Sequence, residues 1–242
     1  MGTACTSKWI ENIASTIVVI GRQKVQDKQA AKSGVLLTQP KLKQSMGVTA
    51  RGLQALGLTT KRDPLLYVPP TYQQEQPAPL VVILHGAGGD AAGGLKLLKH
   101  LADTAGVILL APASRQKTWD VISGQYGPDI VLIDAALDTV FSRYAIDPQR
   151  IAVGGFSDGA SYALSVGINN GSLFTHIIAF SPGFMAPSRQ QVLPRIFISH
   201  GTQDTVLPID SCSRKLVPQL QRALYDVLYH EFNGSHTVLK KQ

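Results

Sequence analysis

The chain has 242 residues, 44% hydrophobic, 16% charged and 7% aromatic. That length and apolar content suit one globular core and exclude a disordered polymer, and no apolar run approaches the roughly eighteen residues of a membrane span. Two cysteines, Cys5 and Cys212, exclude a disulfide framework or a four-thiolate zinc site, so a reducing compartment fits and a cytoplasmic location is expected. The net charge of +7 is uneven: residues 1–62 hold ten Lys and Arg against Glu11 and Asp27, whereas the remainder holds thirteen basic and fourteen acidic residues. The basic character therefore belongs to the N-terminal segment, and no nucleic-acid partner is expected for the rest.

Residues 1–46 read as a basic leader, poorly ordered or carrying a short amphipathic helix. Trp9, Ile10, Ile13, Ala14, Ile17 and Val18 recur at helical spacing, which predicts a helix over about 8–20. Residues 22–45 are rich in Gln, Lys and Ala without alternation, as in a solvated helix or a disordered stretch. Ser15 and Thr16 break the apolar run, which argues against a secretory signal. Met1-Gly2-Thr3-Ala4-Cys5-Thr6 fits the N-myristoylation pattern, so membrane contact is expected only if the N-terminus is acylated. An organelle-targeting role for residues 1–46 is the other alternative to a plain leader, and Met46 is a possible functional start.

Residues 47–242 alternate strand-like and helix-like stretches. Strands are predicted at Leu65–Val68, Leu80–Leu84, Val107–Leu110, Arg150–Val153, His176–Phe180, Arg195–Ser199 and Val227–Phe232, mostly β-branched and bounded by Gly or Pro. Helices are predicted over about 91–104, 129–145, 158–168 and 211–224. The clearest follows Pro128 and Asp129, with Ile130, Ile133, Leu137, Val140, Phe141 and Tyr144 as its core stripe. Apolar strands alternating with helices predict an α/β fold: a mostly parallel central sheet with helices on both faces. In such sheets function collects at the carboxyl ends of the strands.

Four strand ends carry chemistry. After Arg150–Val153 comes Gly154-Gly155-Phe156-Ser157-Asp158-Gly159-Ala160, in which Gly155-x-Ser157-x-Gly159 is the pattern of a tight strand-to-helix turn that exposes a serine. The motif alone is weak, since Ser is also a favoured helix N-cap. After Leu80–Leu84 comes His85-Gly86-Ala87-Gly88-Gly89-Asp90, a Gly-rich turn able to point N–H groups at a developing oxyanion. A dinucleotide-binding reading of Gly86-x-Gly88-x-x-Ala91 fails for want of an acid after the next strand, which ends Leu109-Leu110-Ala111-Pro112. The last two ends supply Asp204 and His236, so Ser157, Asp204 and His236 follow in the order nucleophile, acid, base. Among the other histidines, His85 and His200 precede glycines and are expected to buttress turns, His176 and His230 fall in strands, and His100 lies on a basic helix. Asp210 is expected to cap the following helix. No metal-ligand spacing appears, and neither metal nor cofactor is expected.

These motifs, with Thr118-Trp119-Asp120, Gly127-Pro128-Asp129 and Phe180-Ser181-Pro182-Gly183-Phe184, resemble the α/β-hydrolase superfamily, and within it the phospholipase/carboxylesterase group with its polyhydroxybutyrate-depolymerase-like relatives. The resemblance covers roughly residues 47–238. It implies a serine carboxylesterase acting on small or short-acyl esters: Ser157 as nucleophile, His236 as base, Asp204 as its partner, and the N–H groups of Ala87 and Asp158 as the oxyanion hole. Alternatives are a non-catalytic binding protein of the same fold, or an acyl-protein thioesterase or lysophospholipase-like hydrolase. Only Ser181–Pro194 separates the strands ending at Phe180 and starting at Arg195, which leaves no room for a cap domain. An open site is expected, with Trp119, Tyr126, Phe184 and Met185 as wall residues and a small-molecule ester as partner. The oligomeric state has no signature in the sequence. The family pattern carries a closing helix after the histidine, whereas six residues follow His236 here, and the segment 8–20 is expected to cover the sheet face in its place.

Overall fold

The apolar runs become strands, and the sequence between them sets which face each helix covers. The structure, a computed structural model, describes residues 27–40 and 50–239. Its strands are β1 (Gly52–Ala55), β2 (Leu65–Val68), β3 (Ala78–Leu84), β4 (Ile108–Ala111), β5 (Ile146–Phe156), β6 (His176–Phe180), β7 (Arg195–Gly201) and β8 (Val227–Phe232). Its helices are α1 (27–32), α2 (Ala91–Lys96), α3 (Lys99–Ala105), α4 (Pro128–Arg143), α5 (Asp158–Asn169) and α6 (Ser213–Arg222). The strands form one sheet in the order β1-β2-β4-β3-β5-β6-β7-β8. β1 and β2 run antiparallel, and the six strands from β4 to β8 are parallel. Strand order reverses at β3, which lies between β4 and β5, so the carboxyl ends of β3 and β5 open side by side.

Every predicted strand is present, and β1 is an addition. Its four residues, Gly-Leu-Gln-Ala, are too few to show an alternation. The single helix predicted over 91–104 is two. Gly93 and Gly94 are poor helix formers, and Leu98 leaves the helical region at φ −126°, ψ −4°. Gly94 lets α2 lie close on the sheet, since a Cβ there would come within 3.0 Å of the Ile83 carbonyl. Asp210 does not cap α6: Cys212 is the N-cap residue, and Asp210 pairs with Arg214 instead.

The main core lies between the sheet and α4, α5 and α6, where Phe141, Tyr144, Tyr162 and Phe174 are buried. A smaller core under α2 and α3 gathers Ile83, Leu95, Ala102 and Leu109 on the opposite face. Beyond α3 that second face is open among the described residues. Val81, Ala152, Ile178, Phe197 and Leu228 line a groove of about 590 Å³ there, and Leu228 is 67% exposed. The helix predicted over 8–20 as its cover lies outside the described residues.

One boundary differs from the sequence reading. Residues 27–40, assigned to the leader, pack on the body. Asn170 binds the strap twice, accepting from the Leu36 N–H and donating to the Gly34 carbonyl. Asp134 accepts the N–H groups of Leu37 and Thr38, and Ala31 and Leu36 join the main core. The physical reason is burial: Leu36 is 5% exposed, and the N–H groups around it are met by the buried Asn170 at the end of α5 and by Asp134 of α4. The loop after β6 is strapped as well, because Ser161, Ser165 and Asn169 of α5 accept the N–H groups of Gly183, Ala186 and Ser188. It forms no cap.

Candidate active site

β5 runs directly into Ser157, which stands at φ 58°, ψ −121° before the first turn of α5. A non-glycine residue in this region costs on the order of 1–3 kcal/mol and persists only where its surroundings hold it. Here its N–H donates to the Phe180 carbonyl at 2.9 Å, and its own carbonyl accepts from Ala160 and Ser161. The flanking glycines are required by space: a Cβ on Gly155 would lie 2.4 Å from the Gly159 carbonyl group, and one on Gly159 would lie 2.4 Å from the carbonyl oxygens of Leu84 and His85.

Ser157, Asp204 and His236 come together from three strand ends. His236 Nε2 lies 2.9 Å from Ser157 Oγ, and His236 Nδ1 lies 2.6 Å from Asp204 Oδ2. A carboxylate only accepts, so Nδ1 carries the proton and the Nε2 lone pair faces the serine hydroxyl. Asp204 is 5% exposed, and its other oxygen accepts the N–H groups of Val206 and Leu207 at 2.9 and 2.8 Å. Burial alone would raise its carboxyl, but these N–H groups and His236 outweigh that and hold it below the ordinary carboxylate value. The ring of Phe156 packs against His236 with centroids 4.6 Å apart.

The turn after β3 places Ala87 at the surface, next to this serine in the sheet order. His85 fixes the turn from beneath. Its Nδ1 donates to the Gly86 carbonyl, and Nε2 accepts the Ser114 N–H at 3.0 Å. Burial, with the nearby Arg62 charge, pushes the imidazole below its ordinary value and favours the neutral form that this pairing needs. Arg62, from the β1–β2 turn, clamps the same loop by donating to the carbonyls of Ser114 and Gly89, both at 2.6 Å. The Asp158 carboxylate turns away from the serine to accept the Thr118 hydroxyl at 2.6 Å. Lys117 accepts the Gly88 N–H, so one loop ties down both turns.

Two predicted wall residues are not walls. Trp119 is fully buried, stacked on Tyr162 and donating its indole N–H to the His85 carbonyl. Tyr126 is 5% exposed and donates its hydroxyl to the Ala186 carbonyl. Both are large amphipathic side chains whose polar tips found backbone acceptors in the core. Phe184 and Met185 are half-buried in the loop after β6. An apolar groove of about 730 Å³ does touch the site, running below His236 between Phe156, Phe180, Phe197, Leu98 and Val238.

Sequence reasoning missed the supports. Asp129 reads as a helix-start acid, yet its carboxylate is buried and accepts the N–H groups of Arg115 and Asp120. Asp120 in turn accepts from Gly127, Asp129 and the Tyr162 hydroxyl. Burial raises the Asp129 carboxyl to about 6. Among the described residues no group of three His, Cys, Asp or Glu could hold a metal ion, and no helix is long and apolar enough to cross a membrane.

Residues 129–242 match the phospholipase/carboxylesterase family model. The chain is 28% identical over 158 residues to a probable feruloyl esterase C of Aspergillus oryzae, covering 62% of this chain and 57% of that protein. It is 30% identical over 139 residues to a bifunctional acetylxylan esterase/xylanase of Neocallimastix patriciarum, covering 54% of this chain and 20% of that protein. The chain thus spans less than two thirds of the curated relatives it matches. Among solved structures, esterase PE8 superposes with a TM-score of 0.60 at 22% identity, over 78% of this chain and 93% of that one. A ferulic acid esterase from Anaeromyces mucronatus superposes with a TM-score of 0.58 at 18% identity, over 81% and 88%. The chain thus has the fold of these esterases, and its segment 129–242 is similar to the phospholipase/carboxylesterase family.

Proposed function

We propose that the chain is a cytoplasmic serine carboxylesterase that hydrolyses small or short-acyl carboxylic esters, with Ser157, His236 and Asp204 as its catalytic triad. The observation that carries this reading is the unbroken contact from Ser157 Oγ through His236 to Asp204. A serine hydroxyl is a poor nucleophile at neutral pH; with His236 Nε2 at 2.9 Å, its proton has an acceptor as Oγ attacks the ester carbonyl. The buried Asp204 charge then stabilises the imidazolium. The N–H groups of Ala87 and Asp158 form the oxyanion hole; one such donor contributes on the order of 3 kcal/mol to transition-state binding. Thr118 supports this by drawing the Asp158 carboxylate, which would oppose the developing charge, away from the serine. His236 protonates the leaving alkoxide, and water attacks the acyl-enzyme by the same route in reverse.

The names of the feruloyl and acetylxylan esterase relatives support ester cleavage, and the short strapped loop after β6 supports a site without a cap. The test is hydrolysis of p-nitrophenyl acetate, butyrate and octanoate, with methyl ferulate as an aromatic acyl donor. Wild type should turn over the short acyl esters fastest, and Ser157→Ala should lose on the order of 10⁶ in kcat. Wild type without turnover on any of these esters, or full activity in Ser157→Ala, overturns the proposal.

A further inference from the structure

We propose that His200 is a positioning residue for the reaction, a second histidine that locks the Asp204 carboxylate to the one orientation in which it can serve His236. The inference rests on the serine-esterase reading above. It starts from a side chain that the triad does not use. His200 closes β7 and is wholly buried, and its ring is gripped on both nitrogens. Nε2 lies 2.8 Å from the Leu207 carbonyl, which only accepts, so Nε2 carries a proton. Nδ1 lies 2.7 Å from Ser213 Oγ, whose hydroxyl donates to it in the neutral ring. The same Nε2 stands 3.1 Å from Asp204 Oδ2, the oxygen that accepts from His236.

The consequence follows from the turn between them. Asp204 Oδ1 is held by the N–H groups of Val206 and Leu207, so its rotation depends on where residues 206 and 207 sit. His200 binds the carbonyl of that same Leu207 and is itself anchored to Ser213 at the start of α6. The carboxylate is therefore fixed on one oxygen by the turn and flanked on the other by two imidazoles, one buried and structural, one reaching the serine. A merely space-filling residue needs neither nitrogen paired. Without the brace, the turn relaxes and Asp204 loses its alignment on His236 Nδ1. The imidazolium is then less stabilised, and proton transfer from Ser157 slows; misplacement of this kind costs about tenfold to a hundredfold in rate.

Other charges near His200 are spoken for. Glu231 pairs with it across β7 and β8, and Arg214 binds both Glu231 and Asp210. The Arg214 contacts hold Glu231 down to about 2, so it stays charged and paired.

The experiment compares His200→Leu, His200→Gln and Ser213→Ala with wild type in the full chain. Expected for His200→Leu is a tenfold to hundredfold fall in kcat with KM within twofold. The acidic limb of the pH profile of kcat/KM should also move to lower pH, because His236 holds its proton less tightly. His200→Gln, which keeps a donor for Leu207, should recover most of the rate, and Ser213→Ala should fall in the same direction by a few fold. If His200→Leu fails to fold, the Gln and Ser213 variants decide: wild-type kcat and an unmoved acidic limb in Ser213→Ala, or a Gln variant as slow as an alanine at Asp204, overturns the inference. A folded His200→Leu with unchanged kcat and pH profile does so too. Wild type that turns over no ester fails the parent reading instead, which separates the two outcomes.

Discussion

Gly159→Ala tests the joint on which the site is built. The first turn of α5 lies against the carboxyl end of β3 at this glycine, so the nucleophile turn and the Ala87 turn are held together by one close approach. An added Cβ would stand 2.4 Å from the carbonyl oxygens of Leu84 and His85, where ordinary contact begins at 3.4 Å. Both obstacles are backbone, so no side chain can swing aside, and the two elements must part by about 1 Å. Overpacking of this size costs about 1–3 kcal/mol of stability. The same displacement separates Ser157 from the Ala87 N–H, and 1 Å at a reacting centre is worth about 10²-fold in rate. Urea unfolding and kcat/KM on p-nitrophenyl butyrate read the two effects. Gly88→Ala is the control: it has φ +71° but open space around its Cβ site, so it should cost only backbone strain, about 1 kcal/mol. Gly159→Ala within twofold of wild-type kcat/KM would refute the claim that this approach sets the geometry.

Asp129 gives a pH-dependent stability with a definite sign. Its carboxyl is raised from an ordinary 3.8 to about 6, so between those values the folded chain binds more protons than the unfolded one. Stability from this group is therefore full below pH 4 and is lost as pH rises through about 6, a swing of up to about 3 kcal/mol. The stability difference between wild type and Asp129→Asn should shrink by that order from pH 4 to pH 7 in urea melts; a flat difference would show that the burial does not act as described. The N-terminal strap gives a second test. Leu36→Ala should cost about 2–4 kcal/mol, and a chain beginning at Met46 should melt lower still, since it loses Ala31, Leu36 and the bonds to Asn170 and Asp134. An unchanged Tm in the truncated chain would mean that residues 27–40 contribute nothing to the fold.

The strands, the four main helical regions and the placement of Ser157, Asp204 and His236 at strand ends were legible because each rests on a local pattern: an apolar run, a 3.6-residue stripe, or a turn at a strand end. Contacts between distant segments were not. Trp119 and Tyr126 look like pocket walls in sequence because aromatic residues near a motif often are; only the stacking of Trp119 on Tyr162 and the hydrogen bond from Tyr126 to Ala186 show them as core. Arg62 follows Lys61, and nothing nearby in sequence says that it joins the turn at Gly89 to the turn at Ser114. The strap at 27–40 is hidden for the same reason. A polar, Lys- and Gln-rich stretch reads as solvated, while two leading anchors, Leu36 and Ala31, are too sparse to form a stripe. Its partners Asp134 and Asn170 lie far along the chain.

The central claim is that Ser157 is the nucleophile, activated by His236. Intact-mass measurement after brief exposure to a fluorophosphonate tests it most directly, because the reagent needs an activated serine rather than a preferred substrate. Wild type should gain one adduct, mapped by peptide digestion to Ser157, and both Ser157→Ala and His236→Ala should gain none on the same timescale. An unlabelled wild type, or an adduct that persists in Ser157→Ala, would contradict the account.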